Sequence, residues 1–409
     1  MAYKSFTTRS LNIPFPKADP HRALQMPIYE SVAFDFETAE DIAANFRGEL
    51  PAHVYSRTGN PTVECFEQKL KALTGSHQVL ALSSGMAAIS NAILTLCSNG
   101  DNVITGKQLF GHTFSLFSQN LPSLGIETRF VNLNKPDEIE KQIDKNTRAI
   151  YFETVTNPQL EIPDIEKLSE IARVNNIVLI ADSTLTPPVV FSSKKHGVDI
   201  EVMSTTKFIS GGATAVGGVV IDNGTFDWNN IPALAPFSSK LGRDTFYSRL
   251  KKGIFRQLGG CMNAHSAYFQ IMGLDILELR IERCVNNCIK LGTFLTNHQK
   301  IKEAHYPALE SSAFNLLSIK YFNNKPGAIL TFDLESEAAC FAFMNRLKII
   351  RRATNLNDNK SLIIHPYSTI YCEFSHDDRI EMGIRSGMMR LSVGIEGVED
   401  LMNDIEQAL

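Results

Sequence analysis

Three short segments bring together residue types that do chemistry in combination. Ser83-Ser84-Gly85-Met86-Ala87-Ala88 stands between an apolar run and a small-residue helical stretch. Small residues let a backbone approach a ligand, and the free N–H groups and positive dipole end of a helix N-terminus bind phosphate. In Ile180-Ala181-Asp182-Ser183-Thr184 an apolar strand ends in an acid, which puts a carboxylate at the ligand-bearing edge of a sheet. In Met203-Ser204-Thr205-Thr206-Lys207-Phe208 a lysine follows a strand, behind hydroxyls able to bind phosphate and ahead of Gly211-Gly212 and Gly217-Gly218. A buried lysine with a depressed pKa acts as a nucleophile and forms Schiff bases. Alone, each segment also reads as plain structure: a packing turn, a cap, a surface lysine.

Their order makes the combination informative. Asp182 follows Ser84 by 98 residues, and Lys207 follows Asp182 by 25. A phosphate cradle, a carboxylate for a pyridinium nitrogen and a lysine for an aldehyde are the three needs of pyridoxal 5′-phosphate (PLP). A carboxylate that keeps the ring nitrogen protonated lets the ring withdraw electrons from a substrate carbanion.

The elements that position these segments can be read from periodicity. Residues 1–60 are rich in turn formers and read as an irregular arm. Asn60 and Pro61 start a helix whose face carries Val63, Phe66, Leu70 and Leu73 and which Gly75 stops. Strands are predicted at 79–82, 101–105, 127–132, 148–153, 177–181, 199–203 and 217–222, with helical patterns between several of them, for example 135–144 and 164–175. That alternation means a mostly parallel α/β sheet. Near residue 250 the pattern shifts to a long helical stretch (264–298), a strand (328–334), a helix (336–347), a strand (389–395) and a closing helix, a smaller α+β domain. The expected division is an arm (1–60), a large domain (61–255) and a small domain (256–409).

Composition excludes other classes. A chain of 409 residues is too long for one small core. Lys and Arg number 40 against 44 Asp and Glu, so neither a nucleic-acid nor a membrane partner is expected. No apolar run reaches the roughly 18–20 residues a membrane span needs, and the N-terminus lacks a secretory apolar core. Seven cysteines, an odd number widely spaced without CxxC, fit reduced thiols in the cytoplasm. Cys284 and Cys288 stand four apart in a helical stretch without a histidine at ligand spacing, so packing is expected there and no metal.

The chain resembles the Cys/Met-metabolism PLP enzymes, of the aspartate-aminotransferase fold type (fold type I), over nearly its whole length. Tyr55-Ser56-Arg57-Thr58-Gly59-Asn60-Pro61-Thr62 is similar to the family's YxRxxNPT segment, Ser84-Gly85-Met86 to its phosphate loop, and Glu153 with Asn157-Pro158 to E-x-x-x-N-P. Ser204, Thr206 and Lys207 resemble its S-x-T-K site, Gly273 to Arg280 its GLxTLxLR helix, and Arg390 to Glu396 RLSVGxE. The resemblance implies Lys207 as the Schiff-base lysine and Asp182 as the pyridinium partner. It implies that Asn157 approaches the 3-hydroxyl, that Phe110 stacks on the ring, and that Ser84, Gly85, Met86, Ser204 and Thr206 hold the cofactor. It sends Tyr55 and Arg57 to the phosphate of a neighbouring subunit, so a homo-oligomer is expected, at least a dimer and most simply a tetramer. Arg390 would pair with the substrate α-carboxylate, a task suited to its planar fork, with Asn355 and Tyr55 also at the substrate.

Within the family, Lys207 to Gly212, Phe226-Asp227-Trp228, Tyr306 to Ser312 and Ser361 to Pro366 look most like O-acetylhomoserine sulfhydrylases, and Asn355 stands where γ-lyases tend to have Ser. The implied reaction replaces acetate on the γ-carbon of O-acetyl-L-homoserine with sulfide or methanethiol, giving homocysteine or methionine. A methionine or homocysteine γ-lyase, a cystathionine γ-synthase and a PLP-binding scaffold without catalysis are the alternatives. Five departures from the family pattern bear on the choice of substrate: Phe110 replaces a family tyrosine, His112 a Gly or Cys, Ser183 an Asn, Met203 a His, and Tyr371-Cys372 a common His-Ser.

Overall fold

The computed structural model describes residues 4–16 and 19–409. Its larger sheet has seven strands: β1 (Gln78–Leu82), β2 (Asn102–Thr105), β3 (Glu127–Phe130), β4 (Thr147–Glu153), β5 (Val178–Asp182), β6 (Ile200–Met203) and β7 (Gly218–Asp222), in the order β1-β7-β6-β5-β4-β2-β3. β7 is antiparallel to both neighbours and the other pairings are parallel. The carboxyl ends of β1, β2, β4, β5 and β6 therefore share one edge, where such sheets take ligands. Each strand lies within two residues of its predicted position. β4 is buried along its whole length, as a strand covered on both faces must be.

The helix Pro61–Thr74 shows how local chemistry sets the frame. Asn60 Oδ1 accepts from the N–H groups of Thr62 (2.9 Å) and Val63 (3.4 Å), and the helix ends at Gly75 in the left-handed conformation. Val63, Phe66, Leu70 and Leu73 are buried as the periodicity predicts, and each such side chain contributes about 1.5–3 kcal/mol.

The smaller sheet holds β8 (Glu303–His305), β9 (Ile329–Asp333), β10 (Arg351–Arg352), β11 (Leu362–Ile364) and β12 (Met388–Ser392), ordered β10-β11-β12-β9-β8. Only β9 and β12 are predicted from sequence. The others have two or three residues, too few for an alternating pattern to show. Arg390 sits mid-β12, opposite Ile364 and Thr331.

Two further expectations need correction. Residues 1–60 are not irregular throughout: helices form at Phe6–Leu11 and Ala39–Arg47. The second is capped by Thr38 and closed by Gly48, and none of its residues is buried. The stretch 264–298 is two helices, Ala264–Asp275 and Leu277–Thr296, broken at Ile276. The break falls where the arm docks. Asp275 accepts from Ser10 Oγ (2.7 Å), and Glu278 accepts from the N–H (2.9 Å) and Oγ1 (2.7 Å) of Thr7. Cys284 and Cys288 are buried in the adjoining core.

Gly273 is fixed by close approach. A Cβ there would lie 1.9 Å from the Ile209 carbonyl oxygen and 2.7 Å from Gly211 N, within the turn that follows Lys207. Gly273→Ala is expected to lower the unfolding free energy by about 2–4 kcal/mol. At Gly292 a Cβ would meet only the flexible Leu309 side chain, 3.1 Å away, and Gly292→Ala should stay within about 1 kcal/mol of the natural protein. Urea titration of both variants checks the contrast.

Candidate active site

At the carboxyl edge of the large sheet lies a cavity of about 680 Å3. Ser84, Gly85 and Met86 line it from the turn after β1, Phe110 from the loop after β2, and Asn157 from the loop after β4. Asp182 enters at the end of β5, and Ser204, Thr206 and Lys207 follow β6. Asn355 and Arg390 reach it from the smaller sheet's side. Two predicted residues are not brought in: Tyr55 is 43% exposed, and Arg57 donates to the Arg256 carbonyl at 2.9 Å.

Ser84 caps the helix Gly85–Leu96, its Oγ accepting from Ala87 N at 3.1 Å. The N–H groups of Gly85 and Met86, in the first turn, have no partner within the helix. A Cβ on Gly85 would lie 2.6 Å from Ser204 Cβ, so only glycine lets this turn close on the Ser204 loop. Ser204 N donates to Thr184 Oγ1 at 2.9 Å, and Thr206 Oγ1 accepts from Gly217 N at 3.0 Å. Hydroxyls and free N–H groups thus meet where glycine lets the two loops approach closely, a fit for a phosphate.

Asp182, half-buried at the end of β5, meets Tyr151, whose hydroxyl donates to Oδ2 at 3.1 Å, and Thr184, whose N–H donates to Oδ1 at 2.9 Å. Burial outweighs these donors and raises its pKa. Glu153 accepts from Phe110 N (2.7 Å) and Asn157 N (3.3 Å). Burial, then the nearby Asp182 charge, pushes it well above the usual carboxylate range. Asp182 therefore has donors but no cation, and a protonated ring nitrogen is the kind of group that would complete it.

Lys207 Nζ donates to Asn355 Oδ1 at 2.9 Å. Burial, then the Arg390 charge, lowers its pKa to about 8, with Asp358 opposing, which makes the amine available as a nucleophile or base near neutral pH. Arg390 donates to Asn157 Oδ1 (3.1 Å) and to the carbonyls of Thr354 (2.9 Å) and Asn355 (3.2 Å), while its Nε is buried with no hydrogen-bond partner. Burial lowers its pKa to about 10, so it remains a cation at neutral pH and can receive a carboxylate.

A profile of the Cys/Met metabolism PLP-dependent enzyme family matches residues 8–409. The chain belongs to this family. It is 34% identical to the O-acetyl-L-homoserine sulfhydrylase of Corynebacterium glutamicum, over 98% of this chain and 96% of that protein. It is 36% identical to the L-methionine gamma-lyase of Fusobacterium nucleatum subsp. polymorphum, over 94% and 93%. A crystal structure from Campylobacter jejuni, assigned as an O-acetylhomoserine (thiol)-lyase and carrying N′-pyridoxyl-lysine-5′-monophosphate, superposes with a TM-score of 0.94 at 35% identity and 99% coverage of both chains. The protein is a PLP-dependent enzyme of the α/β transferase fold of aspartate-aminotransferase type.

Several residues around this PLP-family site escape sequence reading. Tyr151 reads as core in an apolar strand. Thr184 clasps both Asp182 and Ser204, and its place inside the Asp182 motif was the available signal. Tyr371 is fully buried, with its hydroxyl 2.9 Å from the Leu109 carbonyl oxygen and 3.0 Å from that of Asn157. The departures Ser183 and Met203 lie behind the site: Met203 is in the core, and Ser183 and Ser193 both donate to Glu201.

Glu201 on β6 is fully buried, and burial raises its pKa to about 7. A carboxyl whose folded pKa is raised gives stability that is complete below its unfolded pKa of about 4.3 and lost as pH rises through the folded value. The natural protein should therefore lose about 3 kcal/mol between pH 4 and pH 8 through this residue. Glu201→Gln keeps an acceptor for the serines and should remove that share of the slope. Denaturant titrations of both proteins across this range measure it.

Proposed function

We propose that this enzyme replaces the γ-acetoxy group of O-acetyl-L-homoserine with a sulfur nucleophile, sulfide or methanethiol, giving homocysteine or methionine plus acetate. The carrying observation is the grouping of Lys207, Asp182 and Arg390 around one cavity that also holds a phosphate-fitting turn. PLP, when bound, supplies an electrophilic carbon for an amino group and a ring that accepts the electron pair left as a proton departs. Lys207 would hold the cofactor's aldehyde end, and Asp182 would hold the proton on its ring nitrogen. Ser84, Gly85, Met86, Ser204 and Thr206 would hold its phosphate, with Asn157 and Phe110 at the ring. Once released, the Lys207 amine takes the substrate α-proton and then works at the β-carbon as base and acid. Arg390 receives the α-carboxylate, with Asn355 beside it. Tyr55 and Arg57, exposed and away from their own chain's cavity, serve the phosphate of a neighbouring subunit in a homo-oligomer, with Tyr55 also at that site's substrate; a tetramer is the favoured state. The arm, large domain and small domain divide near residues 60 and 255. A cytoplasmic address is supported by seven unpaired thiols. Among the described residues no helix is long and apolar enough to cross a membrane.

The likeness to a methionine gamma-lyase supplies the second reading, elimination. Phe110 favours replacement of an ester. Acetate is a weak base and leaves with little proton donation, whereas a thiolate needs an acid, and Phe110 has no phenol to offer.

Two measurements test this reading. Borohydride treatment of the yellow holoenzyme should bleach it and fix the label on the peptide containing Lys207; a label on another lysine refutes the assignment. With O-acetylhomoserine and methionine compared by kcat/KM, the natural protein should prefer the ester strongly. Phe110→Tyr should gain toward methionine, by up to the roughly 10²–10⁴-fold that acid assistance supplies. Equal use of methionine and ester by the natural protein establishes the lyase reading instead.

A further inference from the structure

Five ionisable side chains line the cavity: Asp182, Glu153, Lys207, Arg390 and His112. Four are committed. Asp182 and Glu153 are engaged by buried donors, Arg390 holds three oxygens, and Lys207 binds Asn355. His112 is exposed to the cavity, and its ring forms no hydrogen bond or ion pair with any described residue. Its ring approaches Phe110 edge-on, with centroids 5.1 Å apart and planes at 63°. This contact sets an imidazole beside the ring that lacks a hydroxyl, without occupying either nitrogen. The elements around it add no competing charge at the cavity wall. Met86 and Ile89 face the cavity from the helix Gly85–Leu96, and Thr369 and Ile370 from the loop opposite. That loop's Tyr371 turns its hydroxyl to the Leu109 and Asn157 carbonyls, and its Cys372 is exposed.

We infer that His112 is the base that deprotonates the incoming sulfur nucleophile, an inference that rests on the replacement reaction proposed above. Thiolate, not thiol, is the nucleophile. An alkyl thiol ionises no more readily than a cysteine side chain and so is mostly protonated at neutrality, and an imidazole nitrogen is a base able to take its proton. The S–H proton passes to the free imidazole nitrogen. Acetate has by then left the γ-carbon with its bonding pair, after Lys207 took the α- and β-protons. The sulfur lone pair forms the new bond to the γ-carbon as the electron pair of the Cβ–Cγ double bond shifts away, Lys207 returns a proton to the β-carbon, and the imidazolium returns its proton to water. Acetate, a weak base, makes no demand on the same group, so the histidine serves the nucleophile and not the leaving group.

The test compares His112→Gln, which retains size and hydrogen bonding but carries no exchangeable basic nitrogen, with the natural holoenzyme. Its thiol-dependent kcat/KM should fall about 10²-fold more than its rate of acetate release without thiol, and Phe110→Tyr placed in the His112→Gln background should recover part of the loss. Equal losses in both rates, or none, overturn the inference. Independently of turnover, the natural protein with 13C-labelled imidazoles is titrated with methanethiol. A thiol-dependent shift of the one resonance missing from His112→Gln supports the assignment, and its absence overturns it. If the natural protein forms neither homocysteine with sulfide nor a thioether with any thiol from O-acetylhomoserine, the replacement reading fails by itself, while the imidazole titration still decides whether His112 meets the thiol.

Discussion

A carboxylate at the end of a buried strand must be answered by donors or by positive charge, because desolvation of one ion costs several kcal/mol. Asp182 is such a group, and much of the large domain can be understood as the response to it. Tyr151 on β4 and the Thr184 N–H supply two hydrogen bonds, and burial still dominates. The balance is left for a ligand cation to complete. Glu153 shares the predicament one strand away and meets it with two backbone N–H groups. These N–H groups belong to Phe110 and Asn157, so the same carboxylate that needs donors also fixes the loops after β2 and β4. Electrostatic need and loop placement have one cause.

The parallel arrangement makes this possible. With β1, β2, β4, β5 and β6 pointing the same way, five loops of unrelated sequence open on one edge, and each brings a different polar group. The smaller sheet closes the cavity with a single strand residue, Arg390, which reaches across to Asn157. Chain segments more than two hundred residues apart therefore meet through side chains that are all polar in an otherwise apolar wall. The arm belongs to a different problem. It is pinned to the helix break by Asp275 and Glu278, yet leaves Phe46 77% exposed and Leu24 96% exposed, apolar surface suited to burial against another subunit.

Much of this was legible in the chain because the signals are local. A cap, a strand end and a small-residue turn each declare themselves within a few residues, so the seven strands and the segments around Ser84, Asp182 and Lys207 could be placed beforehand. What stayed hidden depends on partners distant in sequence. Tyr151 looks like core until Asp182 is beside it. β8, β10 and β11 are too short to carry a period, and the break at Ile276 has no glycine or proline to mark it. The helix Ala39–Arg47 had its caps in view, Thr38 and Gly48, but no buried face within the chain.

Tyr371 carries a consequence for how this site can change by descent. Its phenol lies against two carbonyls at once in a fully buried position, one beside Phe110 and one on Asn157. Its single proton is shared between the two carbonyls, so the loop of residue 371, the loop of Phe110 and the loop of Asn157 are tied at one atom. Descent through a residue without the hydroxyl therefore carries a cost of about 1–3 kcal/mol for a buried carbonyl left unpaired.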